Sequence, residues 1–412
     1  MSEQERRAYL VSMVERYALA GRVDKGIMLD EYCANSGVGR KHAIACLQQM
    51  MRPSEGHLDA TDATEALRPH PVRSTRATRT GRPVRYAADA DLVAAVQAIW
   101  EAAKRPCSKR LVALLPHWLA HYEADTGVHL SRSTQRAIKA ISAATVDRLL
   151  APTRTADRQR LHGLAGTTPA SEWLRSLVPV RTHHHEVDRP GSLEADTVAH
   201  CGASIAGEFF WTLTCTDIHS AWSECASVWS KLAVGIKAAV MAVETRLPFA
   251  LKAFDTDNGT EFINHSLQLY FATHQPAVNF TRSRPYEKND QAYVEQKNYS
   301  VVRQFLGYQR LDNPDLADTL NAFFTGCWRD YVNFFLPTLK LVGKERVGNK
   351  TRRIYEPTPQ TPYQRILKSK GVGYNAKRAL RLHYQTLNPF DLKRQIDDTL
   401  AHIFQHARYA DL

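Results

Sequence analysis

The spacing of apolar residues changes along the chain and predicts helical regions on both sides of a central sheet. In residues 1–51 and 87–160 apolar side chains recur every three to four positions, which is the period of a helix. In residues 191–283 short runs of β-branched and aromatic residues lie between polar turns, which predicts strands. We therefore expect an α/β protein in which helical modules precede a mixed sheet.

Five strands are predicted in the central region, in an order that alternates with helices after the third strand. The first three follow one another as a meander, and the fourth and fifth are each reached through a helix. Ser230 is a candidate cap for the first of these helices. The predicted strands are 194–198, 209–217, 221–229, 249–257 and 277–283.

Residues 1–51 have the pattern of a helix-turn-helix. Apolar residues at helical spacing in 25–36 and 40–51 are separated by Gly37-Val38-Gly39, which breaks the helix. Arg40 and Lys41 open the second helix on its polar side, where they could contact DNA. A helical hairpin with no DNA-binding role is the alternative.

A second helix-turn-helix is predicted within residues 87–160. Helical spacing in 133–141 and in 142–150 leaves Arg136 and Arg148 exposed, and Ser142 is a candidate N-cap. The preceding apolar stripes are expected to form the core of this module, and their members are Leu92, Val96, Ile99, Trp100, Leu111, Val112, Leu115, Trp118, Leu119 and Tyr122.

Two segments have the composition of linkers. Residues 52–86 contain Pro, Thr and Gly with an arginine at every third position of one stretch, and residues 161–190 form a second connector. The first linker could follow DNA phosphates or enter a minor groove, or it could be a solvated tether. Its predicted DNA contacts are Arg73, Arg76, Arg79 and Arg82.

The charge of the chain favours a polyanionic partner. The 412 residues carry a net charge of +12, which divides into +8 for residues 1–190, −4 for 191–300 and +8 for 301–412. An acidic centre between basic flanks suits a metal-binding core that its neighbours hold on nucleic acid. The seven cysteines form no CxxC pair, which argues against a zinc finger or a disulfide framework.

Three carboxylates stand out in the central region. Asp196 follows a short strand-like run, Asp257 precedes Asn258-Gly259 in the sequence FDTDNGTEF, and Glu295 lies in the helical pattern YVEQKN. Glycine permits the tight turn that a strand needs when it delivers an acid to a site and then changes direction.

These segments resemble the Asp-Asp-Glu catalytic core of retroviral-type integrases and of bacterial insertion-sequence transposases. The resemblance covers roughly residues 190–335 and rests on Asp196 in LEADTV, Asp257 in the DNG turn and Glu295 in YVEQKN. It implies a ribonuclease-H-like fold for residues 191–335, in which the first and fourth strands are neighbours and Asp196 faces Asp257 at the strand ends. A helix would then bring Glu295 to them.

The resemblance also implies a metal cofactor and a reaction. Such enzymes are expected to use two Mg²⁺ ions about 3.5–4 Å apart, with Mn²⁺ as a substitute, for in-line displacement at phosphorus. Asp196 would bridge the ions, Asp257 would hold one and Glu295 the other. In the first step water would attack a phosphodiester of the donor strand and leave a 3′-OH. In the second step that 3′-OH would attack target DNA and join the two strands.

Several neighbouring residues compete for these roles or extend them. Asp255 shares a strand face with Asp257, and Glu194 shares one with Asp196, so alternation alone does not choose between them. Glu261 and Glu287 are interpreted as surface acids. Predicted DNA contacts around the acids are Arg284, Lys288, Lys297 and Asn298.

Residues 336–412 are predicted to form a basic C-terminal region with a terminal helix. The segment 336–362 suits a phosphate-contacting arm or a small β module. In the terminal helix Pro389 is expected at the first helical position. The apolar face Leu392, Ile396, Leu400 and Ile403 could pack on the core or on a second subunit.

The sequence therefore favours a DNA transposase or integrase acting on double-stranded DNA, both element ends and target, as a homo-oligomer. With no apolar run of membrane-span length and a charged start, it is expected in the cytoplasm, associated with the nucleoid. A DNA-binding protein that has lost catalysis and a ribonuclease-H-like nuclease without strand transfer are the alternatives.

Overall fold

The computed structural model describes residues 3–37, 39–51, 86, 89–155, 187–257, 259–283, 294, 297–347 and 350–407. The chain divides into two compact units, residues 1–79 and residues 80–412. The predicted second helical module, the predicted catalytic core and the predicted C-terminal region all belong to the second unit. The five-stranded mixed sheet and its flanking helices also lie there.

The first unit contains three helices, α1 (Glu3–Leu19), α2 (Arg22–Ser36) and α3 (Arg40–Met50). Gly37 ends α2 with a φ of 70°, a left-handed conformation that glycine adopts without steric cost. The helix–glycine–helix pattern is therefore present, while its DNA-binding role stays a prediction. The buried core of this unit consists of Leu10, Met13, Tyr17, Leu29, Tyr32, Ala43 and Leu47.

The second unit begins with five helices, and the predicted cap at Ser142 is confirmed. The Ser142 hydroxyl accepts a hydrogen bond from the Thr145 N–H at 3.2 Å, which satisfies one of the free donors of a helix start. The helices are α4 (Ala90–Ala102), α5 (Ser108–Thr126), α6 (Arg132–Ala140), α7 (Ala143–Leu149) and α8 (Ala151–Thr155).

The sheet has the strand order β3-β2-β1-β4-β5. Strands β1 to β3 pair antiparallel, whereas β1 pairs with β4 and β4 with β5 in parallel. The predicted mixed sheet, with its first and fourth strands as neighbours, is confirmed. The strands are β1 (Ser192–Ala199), β2 (Trp211–Asp217), β3 (Ser223–Val228), β4 (Ala253–Thr256) and β5 (Asn279–Arg282).

Two local predictions in this region were wrong. Helix α9 (Ala233–Arg246) has Leu232 at its N-cap, without a side-chain bond, so Ser230 is not the cap. The adjacent Lys231 instead extends to Glu261, which keeps the chain out of the helix at this point. Strand β4 begins at Ala253 and not at residue 249, because its parallel ladder with β1 starts only at the pair of Ser192 with Ala253.

The two faces of the sheet are covered by different helices. One face packs against α9 and α10 (His265–Ala272) around Phe254, Phe271 and Ile236. The other face shares a single hydrophobic core with α4 to α7 and with the helices that follow the sheet. Trp118 of α5 shows this sharing, since its indole N–H donates to the Phe335 carbonyl at 3.4 Å and its ring contacts Phe390 edge to face.

The last part of the chain is mainly helical. Pro389 occupies the first turn of the terminal helix, as predicted, and the Leu392–Ile403 apolar face is buried in the shared core. Residues 336–362 contain an antiparallel hairpin. After β5 the elements are the π-helix Asn298–Arg303 with Gln304–Leu306, the turn Pro314–Leu316, α11 (Ala317–Thr325), α12 (Cys327–Asp330), the π-helix Tyr331–Phe335, β6 (Leu341–Val347), β7 (Lys350–Tyr355), α13 (Pro362–Lys368), α14 (Tyr374–Gln385) and α15 (Pro389–His406).

Two asparagine side chains bond to the backbone of the outer strand β3. The Asn333 amide accepts from the Ser223 N–H at 2.9 Å and donates to the Ser223 carbonyl at 2.8 Å. Asn321 makes the same pair of bonds with Ser227, at 2.9 Å and 3.3 Å. These amides satisfy strand-edge groups that another strand would otherwise satisfy.

Asn333→Ala is expected to destabilise the second unit more than Asn321→Ala does. The Asn333 side chain is fully buried, so its removal leaves the Ser223 N–H and carbonyl without a hydrogen-bond partner in a place that water does not reach. Each unsatisfied group costs about 1–3 kcal/mol of stability. Asn321 is half-buried, and water can replace its amide. Urea unfolding of both variants measures the difference, and equal losses would contradict the role given to Asn333.

Candidate active site

The parallel register of β1 and β4 places Asp196 next to Asp257. The ladder pairs Glu194 with Asp255 and Ala195 with Thr256, where β4 ends. Asp196 and Asp257 are the next residues on their respective chains. Both therefore lie where these neighbouring strands stop pairing, and the charge of Asp257 acts directly on Asp196.

Asp196 is held by two hydrogen bonds in a poorly hydrated environment. Its Oδ1 accepts from the Thr197 N–H at 2.7 Å, and its Oδ2 accepts from the Asn298 side-chain amide at 2.6 Å. Burial, followed by the negative charge of Asp257, raises the pKa of Asp196 to about 7, although both hydrogen bonds and Lys231 act in the opposite direction. The carboxyl is thus poised to lose its proton when a cation approaches.

Asp257 is fixed by the turn that follows it. Its Oδ1 accepts from the Gly259 N–H at 2.9 Å. A Cβ at Gly259 would lie 2.5 Å from Glu261 Oε2 and 2.8 Å from Asp257 Oδ1, so a side chain here would displace both acids. Burial, and then the charge of Glu261, raise the pKa of Asp257. The glycine of the DNG sequence is therefore needed for space.

Glu261 is not the surface acid that the sequence suggested. Only 4% of it is exposed, and it accepts from Lys231 Nζ at 2.5 Å and from the Thr197 hydroxyl at 3.2 Å. The signal that sequence analysis overlooked is the pair Phe262-Ile263, whose burial turns this segment inward. The site thus contains a further carboxylate, paired with a lysine, beside Asp257.

The two rival acids lie one step further into the sheet. Glu194 and Asp255 face each other on β1 and β4, and both are buried. Asp255 accepts from the Thr281 hydroxyl at 2.7 Å, whereas Glu194 accepts from the Val294 N–H at 3.1 Å. Glu194 therefore ties β1 to the segment that carries Glu295, which is a structural role at the edge of the site.

Several predicted residues lie outside the described part of the chain. Among them are the third acid, Glu295, and its neighbours Arg284, Glu287 and Lys288. The residues that flank Glu295, Val294 and Lys297, are helical and buried. Also outside are Asn258, the linker residues Arg73, Arg76, Arg79 and Arg82, and the side chain of Lys41.

The described DNA-contact candidates have different environments. Lys297 is buried and donates to the Ala221 carbonyl at 3.1 Å, and burial, aided by Arg365 and Arg110, lowers its pKa to about 7. Arg40 pairs with Asp30. Arg136 and Arg148 are exposed on α6 and α7. The role of all four in binding DNA stays a prediction.

The donor atoms at the strand ends fit a hard cation. In the described part of the chain, which omits Glu295, no three His, Cys, Asp or Glu side chains have a metal-binding arrangement. Asp196 and Asp257 nevertheless form a pair of mutually repelling carboxylates, and the buried Asn298 Oδ1 has no hydrogen-bond partner among described residues. Mg²⁺ and Mn²⁺ favour such oxygen ligands.

Asp257→Asn is expected to reduce the pH dependence of stability in metal-free buffer. Because the pKa of Asp196 is raised in the folded state, the protonated carboxyl is favoured there, and this contribution is lost as pH rises from about 4 to about 7. Removing the charge of Asp257 lowers that pKa and shrinks the loss. Urea unfolding in EDTA across this range tests it; an unchanged profile in the variant would refute the coupling.

Comparison with known proteins gives one close sequence relative and distant structural ones. No protein-family model matches the chain. The catalytic core domain of BIV integrase is 15% identical with a TM-score of 0.29, covering 44% of this chain and 95% of that one. A chain of the simian T-cell lymphotropic virus intasome, in complex with PP2A regulatory subunit B56 gamma, is 12% identical with a TM-score of 0.29, covering 60% and 73%.

Because these TM-scores are low, the fold assignment rests on the strand order and register of the chain itself. The described residues include no helix both long and apolar enough to cross a membrane. The uncharacterized protein y4rM of Sinorhizobium fredii (strain NBRC 101917 / NGR234) is 36% identical over 366 residues, which are 89% of this chain and 96% of that protein. The chain therefore belongs to the family of y4rM.

Proposed function

We propose that this protein is a DNA transposase or integrase, a polynucleotidyl transferase of the Asp-Asp-Glu type. The observation that carries the proposal is the position of Asp196 and Asp257 side by side where the parallel pairing of β1 with β4 ends, with raised pKa values. Asn298, from the helical segment that follows Glu295, donates to Asp196 and connects that segment to the pair. Residues from two strands and one helical segment therefore lie together at the place where we propose that a phosphodiester is cut.

Asp196, Asp257 and Glu295 would hold two Mg²⁺ ions, for which Mn²⁺ could substitute. Bound there, the ions would supply electrostatic stabilisation for the attacking and leaving oxygens of an in-line displacement at phosphorus. The chain's own residues maintain the geometry. Asn298 and the Thr197 N–H orient Asp196, and the turn at Gly259 orients Asp257.

Lys231 and Glu261 adjust the charge around the pair. Their ion pair lies beside Asp257, where the ammonium lowers the pKa of both aspartates and Glu261 raises that of Asp257. The Lys231 ammonium also lies 4.2 Å from the centre of the Trp211 ring, which holds it in place. We expect Lys231 to help keep the carboxylates ionised before a cation arrives.

The flanking regions are proposed to place this site on double-stranded DNA. The helix pair of the first unit and the α6–α7 pair would bind element ends, with the arginine-rich linker on the backbone between them. Cleavage at both ends of an element needs more than one catalytic site, so a homo-oligomer on DNA in the cytoplasm is proposed. The basic hairpin Leu341–Tyr355 is a further candidate contact.

A catalytically silent DNA-binding protein is the alternative from another class. The electrostatic cost of placing Asp196 beside Asp257 argues against this alternative. Two like charges in a poorly hydrated environment destabilise the fold unless a cation occupies the site. A nuclease without strand transfer shares the same acids and is distinguished only by its reaction. Substrates that already carry a 3′-OH at the element end separate these two activities.

The wild-type protein is expected to nick and join DNA from the ends of its own element in Mg²⁺ or Mn²⁺, whereas Asp257→Asn binds that DNA without cutting it. A loss of at least about 10²-fold is expected, because the remaining acids cannot hold both ions. Gel assays of cleavage and of strand transfer from pre-nicked ends measure the two steps. Asp398→Asn, which changes an exposed acid on α15, is the matched control.

Each outcome has a defined meaning. Cleavage without joining of pre-nicked ends would favour the nuclease. DNA binding with neither reaction, in wild type and variant alike, would favour the silent binding protein. Full activity in Asp257→Asn would refute the assignment of the acids. Mn²⁺ binding measured by calorimetry should also be lost in Asp196→Asn, and its retention there would place the metal elsewhere.

A further inference from the structure

We infer that a basic cavity between the α4–α5 turn and the Asn298–Arg303 helix is a binding site for a phosphate group. The cavity has a volume of about 190 Å³, which exceeds the roughly 150 Å³ that accommodates a benzene molecule. Four cationic residues line it, and none of the described residues that line it is Asp or Glu. The cations are Lys104, Arg105, Arg110 and Lys297.

The backbone of the α4–α5 turn is strained where it supplies two of these cations. Lys104 has a φ of 60° and Arg105 a φ of 53°, and both are in the left-handed region that non-glycine residues rarely adopt. Such strain persists only where the surroundings maintain it, and it clusters at binding sites. The N–H groups of these two residues donate to the Glu101 and Trp100 carbonyls at the end of α4, and their side chains lie over the Phe305 and Trp100 rings. The turn is thus held by the protein in a conformation that presents two consecutive cations to the cavity.

Two of the four cations that line the cavity donate to backbone carbonyl oxygens. Arg110 donates to the Pro337 carbonyl at 2.7 Å, and Lys297 donates to the Ala221 carbonyl at 3.1 Å, so their described partners are neutral oxygens. Burial lowers the pKa of Lys104 and Arg110, and the neighbouring Lys393 adds to the effect at Lys104. The charge of Asp397 raises the pKa of Lys104 and partly opposes this lowering. A bound anion would relieve all of these costs together.

Neutral donors complete the lining and connect it to the candidate active site. Ser300 and Gln304 line the cavity from the same helical segment that carries Lys297. The residue after Lys297 is Asn298, whose amide donates to Asp196. Adjacent residues of one segment therefore serve the cavity and the acids, so a phosphate bound here would stabilise the segment that positions Asn298.

Phosphate is the anion that this lining suits best. Arginine matches its oxygens through paired N–H donors, lysine contributes point charges, and hydroxyl and amide groups provide neutral donors. The group could belong to a DNA backbone or could be a free phosphate. The first source rests on the proposed function, whereas the binding of free phosphate does not.

Cys107 provides a direct readout of occupancy. It lines the cavity and is the exposed one of the seven cysteines, all of which are free thiols. Full-length protein would be treated with iodoacetamide, and the alkylation rate of Cys107 followed by peptide mass spectrometry. Inorganic phosphate and a duplex oligonucleotide are separate additions, with sodium chloride at equal ionic strength as the reference.

Phosphate or duplex is expected to slow alkylation of Cys107. In Lys104→Gln the concentration needed for half of the maximal protection should rise roughly tenfold. Lys109→Gln is the matched control, because Lys109 is exposed on the same stretch of chain and does not line the cavity. Protection by duplex alone assigns the phosphate to DNA, and protection by phosphate alone assigns it to a free anion. Protection by neither, or equal protection in Lys104→Gln, overturns the inference.

Arg105→Gly keeps the test independent of folding. Glycine relieves the φ of 53°, so this variant should melt at the wild-type temperature or above it while losing protection of Cys107. Retained protection would contradict the role of Arg105. If the wild type binds no DNA at all but phosphate protects Cys107, the proposed function fails and the phosphate site stands.

Discussion

The parallel pairing of β1 with β4 is the constraint on which the candidate active site depends. Asp196 and Asp257, which have 60 residues between them in sequence, follow the last pair of the β1–β4 ladder and are thereby brought together. Side chains alternate between sheet faces, so a slip of one residue would turn one acid to the opposite face. Apolar pairs such as Leu193 with Phe254 bury that opposite face against α9 and α10 and thereby fix the register.

The same pairing imposes an electrostatic cost that the surrounding structure only partly offsets. Asn298 and the Thr197 N–H stabilise the ionised form of Asp196, and Lys231 stabilises that of both aspartates, yet burial and mutual repulsion prevail. The small divalent cation proposed for this site would offset that electrostatic cost. The turn at Lys104 and Arg105 presents the opposite case, in which positive charge is concentrated around a cavity whose described lining contains no Asp or Glu.

Much of this arrangement could be predicted from the sequence. The succession of strands and helices, the stripes of α4 and α5, and the cap at Ser142 follow from local periodicity and side-chain chemistry. The pairing of the first strand with the fourth, and of Asp196 with Asp257, is what the family resemblance implies. The burial of Glu261 could not be predicted, because it depends on Lys231 from a distant loop. Likewise, periodicity marks the apolar face of α5 but not its partner, and Trp118 packs against residues more than 200 positions later. The third acid, Glu295, lies outside the described residues and stays a prediction.

Asn321 and Asn333 restrict how copies of this protein can assemble. Their amides occupy backbone groups of β3 at Ser223 and Ser227, with the geometry of a neighbouring strand. A second copy cannot add a strand at these positions without first breaking these bonds, and those of Asn333 are shielded from water. Assembly by a continuous intermolecular sheet through β3 is therefore disfavoured, both as a route to an ordered multimer and as a route to aggregation. The proposed homo-oligomer on DNA would therefore have to form through side chains of other surfaces, where affinity can be tuned without disturbing the sheet.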